Sequence, residues 1–322
     1  MHPLIIYGVF FILSIFLIYE GGKILINASI ILEDIAGIYG FIIGAAIIGA
    51  ATTIPELLVA SIASFEGSAD MAAGNAIGSV ICNAGLIMGI SIFMMPLKIK
   101  NNLFAKRGLF LIFTAALLEL LIGDRKLDIF DSLVLIAILV FFMFTNLMLG
   151  RRAVAERTPQ HKDKMLPARK RDILRNIGSI LYGAILLVAG AKLMVVACTG
   201  FVDEIGIKQN IIALTIMSLG TSIPEVVTAV VAIRRGEMGM AYGGILGSSV
   251  INIGLILPVC ALINKGVLAI NPQVMLLDIP VMLVLLLIAV IPGIISNKLS
   301  RTQGAVLMLI LFMYMTYLMG EM

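Results

Sequence analysis

Long apolar stretches recur along the chain, separated by short polar breaks. They run over 4–28, 38–64, 71–97, 107–123 and 128–150, then over 174–199, 208–233, 238–263, 273–296 and 303–320. A bilayer-spanning helix needs about 20 apolar residues. The pattern therefore predicts an all-α integral membrane protein with ten transmembrane helices, five in each half. The runs are unbroken and do not alternate as the strands of a membrane β-barrel do. Segment 38–64 contains Pro55, so it predicts one long tilted helix or two half-helices. The first run begins without a basic leader and is expected to be a retained span.

The two halves share words. Thr52-Thr53-Ile54-Pro55-Glu56 returns 169 residues later as Thr221-Ser222-Ile223-Pro224-Glu225. Gly78-Ser79-Val80-Ile81-Cys82-Asn83 returns at the same offset as Gly247-Ser248-Ser249-Val250-Ile251-Asn252, and Gly21-Gly22-Lys23 as Gly190-Ala191-Lys192. One spacing for three matches makes the chain two copies of one unit, 1–150 and 174–322. The polar, basic link 151–173 joins them. An odd number of spans per copy sets the copies upside down relative to each other, giving two inverted five-helix repeats.

Charge fixes the orientation. Seventeen of the 23 basic residues fall on the side of the links after spans 1, 3, 5, 7 and 9, including the 151–173 link. Basic loops stay in the cytoplasm, so both termini are expected to be extracellular and the link cytoplasmic. The protein is expected to reside in the cell membrane. Composition agrees: 61% of the 322 residues are hydrophobic and only 13% charged, about half the charge of a soluble protein. The net charge of +4 is then a topology signal and implies no nucleic acid. The cysteines, Cys82, Cys198 and Cys260, lie singly in apolar segments and suit neither disulfides nor zinc. With only His2 and His161, neither an imidazole metal site nor a catalytic triad can form in the membrane, so no enzyme and no cofactor are expected.

The chemistry lies in the repeated words. Glu56 and Glu225 each put a carboxylate into apolar sequence, at a cost of several kcal/mol unless it is paired or coordinated. Pro55 and Pro224 free backbone carbonyls one turn earlier. Thr52, Thr53, Thr221 and Ser222 stand three and four residues before each acid, on its face of the helix. Ser79 and Ser248 add hydroxyls, with Ser249 a further candidate. Asn83 and Asn252, four residues on, add amides. Every donor is oxygen, which selects hard cations: calcium, sodium, magnesium or protons. Two carboxylates balance one divalent or two monovalent ions, the physical basis for exchange. Gly74–Gly78 and Gly243–Gly247 are expected to let helices approach closely. Glu20 and Lys23, three apart, are expected to pair. Glu119 and Asp278 have no counterpart at the offset; they could serve as proton or ion relays, but a place at the interface is expected.

These pentads and glycine-serine stretches resemble the α-repeats of the sodium/calcium exchanger family, within the calcium/cation antiporter superfamily. The short link resembles the prokaryotic members. The resemblance implies alternating access, with sodium influx driving calcium out. The alternatives are the same scaffold with protons as counter-ion, and, from another class, a sodium-coupled solute transporter, against which the compact double-acid site argues. By position it implies a metal site of Glu56, Glu225, Thr52, Thr53, Thr221, Ser222, Ser79, Ser248, Asn83 and Asn252, with carbonyls near Gly49 and Ser218. Its partners would be calcium and sodium ions and membrane lipid, with no obligatory protein partner. Three details depart from the family pattern. Ala51-Thr52-Thr53 stands where Gly-Thr-Ser is usual; the usual Gly-Ser-Asn reads Gly-Ser-Val (Val80) in one repeat and Gly-Ser-Ser (Ser249) in the other; and Asn83 and Asn252 are both neutral where relatives often place an acid at one of the two.

Overall fold

The computed structural model describes residues 3–36, 38–96, 103–155, 170–205 and 209–321; the predicted link falls largely outside them. The chain is helical almost throughout. Helix α1 covers Pro3–Ala36, α2 Gly40–Thr52, α3 Ile54–Phe65, α4 Ala69–Met94, α5 Leu103–Leu121 and α6 Ile129–Ala155. Then come α7 (Lys170–Ile205), α8 (Gln209–Arg234), α9 (Met238–Ile263), α10 (Val274–Ser296) and α11 (Arg301–Glu321). Seven of the described helices are long and apolar enough to cross a bilayer, and α2 with α3, bent by 41° between them, would make an eighth. Helix α5 is not among the seven. It carries Lys106, Arg107 and Glu119 within its 19 residues. Neither is α8, whose first half lies outside the described side chains.

Helices α4 and α9 form the centre. Of their apolar stretches 72% and 83% is buried, against 17% for α1. Their backbones repeat each other at the 169-residue offset. Each follows a glycine in the left-handed region, Gly67 (φ +79°) and Gly236 (φ +83°). Each contains one π-helical turn that starts at an asparagine, Asn83–Ile87 and Asn252–Ile256.

Glycine sets how closely the elements pack. A Cβ on Gly243 or Gly247 would strike the carbonyl oxygens of Phe41 and Ala45, and one on Gly49 would lie 2.8 Å from the Ser248 nitrogen. Backbone therefore lies against backbone where α2 crosses α9, as small residues allow in membranes. Helices α1 and α7 cross in the same way. A Cβ on Gly21 would lie 2.8 Å from the Gly183 carbonyl, and one on Gly190 3.0 Å from the Ile18 nitrogen.

One element was not foreseen in an all-α reading. Lys126–Leu127 (β1) pairs antiparallel with Leu268–Ala269 (β2), Lys126 opposite Ala269. The Ile270 nitrogen extends this ribbon by donating to the Arg125 carbonyl at 2.9 Å. Two-residue strands leave no periodic trace in a sequence. Asp278 also departs from its interfacial expectation. It is buried and accepts a 2.9 Å hydrogen bond from the Tyr314 hydroxyl. Lys23 and Glu20 do pair, at 2.7 Å.

Candidate functional site

The site is built where the two repeated pentads meet the two central helices. Pro55 has no N–H to offer the Ala51 carbonyl, and it disfavours helical backbone at Ile54. The helix breaks there. Thr53 takes φ −80°, ψ −6°, and α3 starts at Ile54 with Pro55 in its first turn. The second copy behaves differently: α8 runs unbroken through Pro224. Beyond this proline the Thr228 hydroxyl donates to the carbonyls of Pro224 (2.9 Å) and Glu225 (3.1 Å).

The acids are buried, Glu56 at 0% and Glu225 at 4% exposure. Their carboxyl groups come near enough to interact directly, and Thr52 flanks Glu225. None of the four carboxyl oxygens has a hydrogen-bond partner of good geometry. A cavity of about 10 Å³ adjoins Glu225, lined also by Thr52, Thr228, Ile48 and Met240. That is room for one water-sized species.

All the other predicted donors whose side chains are described are buried. Thr53 donates to the Gly49 carbonyl through its hydroxyl (2.6 Å) and its N–H (3.1 Å). Thr52 donates to the carbonyls of Ile48 (3.1 Å) and Gly49 (3.3 Å). The Gly49 carbonyl, expected as an ion ligand, is thus already engaged by two hydroxyls. The hydroxyls of Ser79 and Ser222 have no partner. Ser218 lies outside the described side chains, and Thr221 has an interaction of its own.

The two asparagines are used unequally. Asn83 Nδ2 crosses to the other copy and donates to Ser248 Oγ (3.0 Å) and Ser249 Oγ (3.1 Å). Both serines in turn donate to the Ile245 carbonyl. Asn252, its counterpart, has neither amide atom partnered. Sequence reasoning missed Asn75, whose Nδ2 donates to the Glu56 carbonyl at 3.2 Å and positions that acid's backbone. A lone amide in an apolar span was the available signal. The comparison of copies hid it, because residue 244, at the offset, is glycine.

An unpartnered buried polar atom costs about 1–3 kcal/mol, and more when charged. Here the Glu56 and Glu225 oxygens, the Ser79 and Ser222 hydroxyls, Asn83 Oδ1 and both polar atoms of Asn252 are all left unpartnered. Among the described residues no group of three or more His, Cys, Asp or Glu gathers. An ion held here would meet two carboxylates and otherwise neutral oxygens, a set suited to a hard cation.

A buried oxygen cluster inside a helical membrane frame is the equipment of a membrane cation exchanger. Known proteins share the frame. A solved structure of the sodium-calcium exchanger NCX_Mj, soaked with 10 mM Na+ and zero Ca2+, superposes with a TM-score of 0.82 at 25% identity, covering 97% of this chain and 99% of that one. The chain belongs to the sodium/calcium exchanger protein family, which it matches over residues 6–148 and 175–320. Among similar proteins, an uncharacterized membrane protein of Methanocaldococcus jannaschii is 29% identical, over 78% of this chain and 80% of its own length. The sodium/calcium exchanger MaX1 of Methanosarcina acetivorans is 24% identical, over 92% and 94% respectively.

Proposed function

We propose that this protein exchanges sodium for calcium across the cell membrane by alternating access. The carrying observation is the meeting of Glu56 and Glu225, one from each pentad, with all four carboxyl oxygens buried and unpartnered. One Ca2+ or two Na+ would balance the same two charges, so the ions compete for one site and only one kind is carried at a time. Thr52, Thr53, Thr221, Ser222, Ser79, Ser248, Asn83 and Asn252 complete the coordination in this proposal, with the carbonyls of Gly49 and Ser218. For Gly49 to ligate, the Thr52 and Thr53 hydroxyls must turn away from it. The exchangers NCX_Mj and MaX1 support the ion pair by likeness.

The proposed frame is ten spans in two oppositely oriented repeats, 1–150 and 174–322. The 151–173 link is cytoplasmic and both termini face outward. The test is calcium flux. Vesicles carrying the protein are loaded with sodium, and entry of radiolabelled calcium is measured. Sodium-driven entry that disappears in Glu56→Gln and in Glu225→Gln is the expected result. Entry driven only by a pH gradient would replace sodium with protons. Absence of calcium flux under both gradients would refute the exchange reading.

A further inference from the structure

Arg107 sits in the second turn of α5, and the ion site makes no use of it. It stands at the first position of the apolar stretch 107–123, yet it is 5% exposed. Its Nη1 donates to Thr145 Oγ1 of α6 at 2.8 Å, and its guanidinium carbon lies 5.0 Å from the Phe142 ring centre. Nε and Nη2 have no partner. Among the described residues the ion pairs are Lys23–Glu20 and Lys126–Asp124, so no described carboxylate reaches Arg107. A buried guanidinium without a counter-charge is expensive. Nε and Nη2 form one edge of the planar group, the fork that receives two oxygens of a phosphate or carboxylate side-on.

Arg107 lines a groove of about 310 Å³ between α5 and α6 together with Lys106, Phe110, Phe141, Thr145 and Met148; its Nε and Nη2 are covered, so a ligand in the groove engages them by a turn of the side chain toward it. Its floor and rim are apolar. Phe141 is 57% exposed and Met148 40%, on surface that lies against lipid in a membrane. Arg107 is four residues from the start of α5, about 6 Å along the axis, near the depth of phospholipid headgroups.

We infer that the α5–α6 groove binds an anionic phospholipid, its phosphate on Arg107 and Lys106 and an acyl chain along Phe141 and Met148. Charge selects the headgroup and the apolar wall selects a lipid over a free anion. The inference does not depend on which ions are exchanged.

Native mass spectrometry of the detergent-purified full-length protein tests it, with titration of phosphatidylglycerol, phosphatidylcholine and inorganic phosphate. Wild type is expected to hold phosphatidylglycerol at least about fivefold tighter than phosphatidylcholine, and its thermal midpoint should rise with phosphatidylglycerol alone. Arg107→Gln should abolish the preference. Lys106→Gln, at an exposed position that folding does not need, should reduce it with the lipid-free midpoint unchanged, which keeps the test decisive if Arg107→Gln does not fold. Equal binding of the two lipids by wild type overturns the proposal. So does an undiminished preference in Lys106→Gln or in a folded Arg107→Gln. Displacement of phosphatidylglycerol by inorganic phosphate would assign the fork to a free anion and overturn it too.

Discussion

Replacing Gly247 by alanine tests whether the crossing of α2 and α9 holds the site in register. The added Cβ would lie 2.6 Å from the Ala45 Cα and 2.7 Å from its carbonyl carbon. Carbon atoms rest at about 3.5–4.0 Å, so the overlap is about 1 Å. The obstacle is backbone and cannot rotate aside; the helices must separate. Overpacking of this kind costs about 1–3 kcal/mol, while alanine in a helix interior returns about 1 kcal/mol relative to glycine. The net loss of stability is therefore about 0–2 kcal/mol, a small fall in thermal midpoint. The effect on function is larger. Ser248 follows Gly247 directly, and Thr52 lies one to two turns along α2 from Ala45. A 1 Å separation moves oxygens from one copy relative to the other, whereas calcium ligation occupies a range of only about 0.3 Å. Sodium-driven calcium uptake in reconstituted vesicles should fall at least about tenfold while the protein still folds. Gly178→Ala in α7, whose added Cβ meets nothing within 4 Å, is the control and should retain uptake. Wild-type uptake together with an unchanged midpoint in Gly247→Ala would refute the argument.

Three further outcomes are expected. Calcium should raise the thermal midpoint of wild type, by about 2.7 kcal/mol of stabilisation at a hundredfold excess over Kd, and chelation should remove it; Glu56→Gln should show no calcium response, and a preserved response would place the ion elsewhere. Asn83→Ala should destabilise by about 1–3 kcal/mol through loss of its two cross-copy hydrogen bonds, visibly more than Asn252→Ala, so equal losses in chemical unfolding would contradict the asymmetry. Burial, with the Asp34 charge adding to it, raises the carboxyl of Glu237 in the turn before α9. An acid raised in the folded state opposes folding most when ionised, so Glu237→Gln should melt higher than wild type at neutral pH. The difference should close as acidity protonates the wild-type carboxyl, and a gap that stays constant with pH would dismiss the effect.

Much of this was legible before any coordinates, because membrane sequences state their polar exceptions plainly. The helices overlie the apolar stretches. The repeated Glu, Thr, Ser and Asn positions whose side chains are described are all buried, and the two acids meet; an apolar background makes such residues stand out in the sequence. What stayed hidden was set by geometry between the copies. Pro55 and Pro224 occupy equivalent words, yet only the first breaks its helix, and nothing in the pentads foretells that. The engagement of the Gly49 carbonyl by Thr52 and Thr53 depends on hydroxyl rotation, which spacing does not determine. Arg107 stood at the very edge of its predicted stretch because helix ends are blurred by several residues in a sequence; α5 starts four residues earlier, at Leu103, and sets it against Phe142.

The two asparagine-initiated π turns set the rotational phase of the central helices. A π turn accommodates one residue more than the α-helical path would. Both turns stand at the same offset, Asn83–Ile87 and Asn252–Ile256, inside helices that begin and end in step. Deleting one residue from either turn would rotate the stretch beyond it by about 100° about its axis and carry the buried side chains of a central helix away from the neighbours they now pack against.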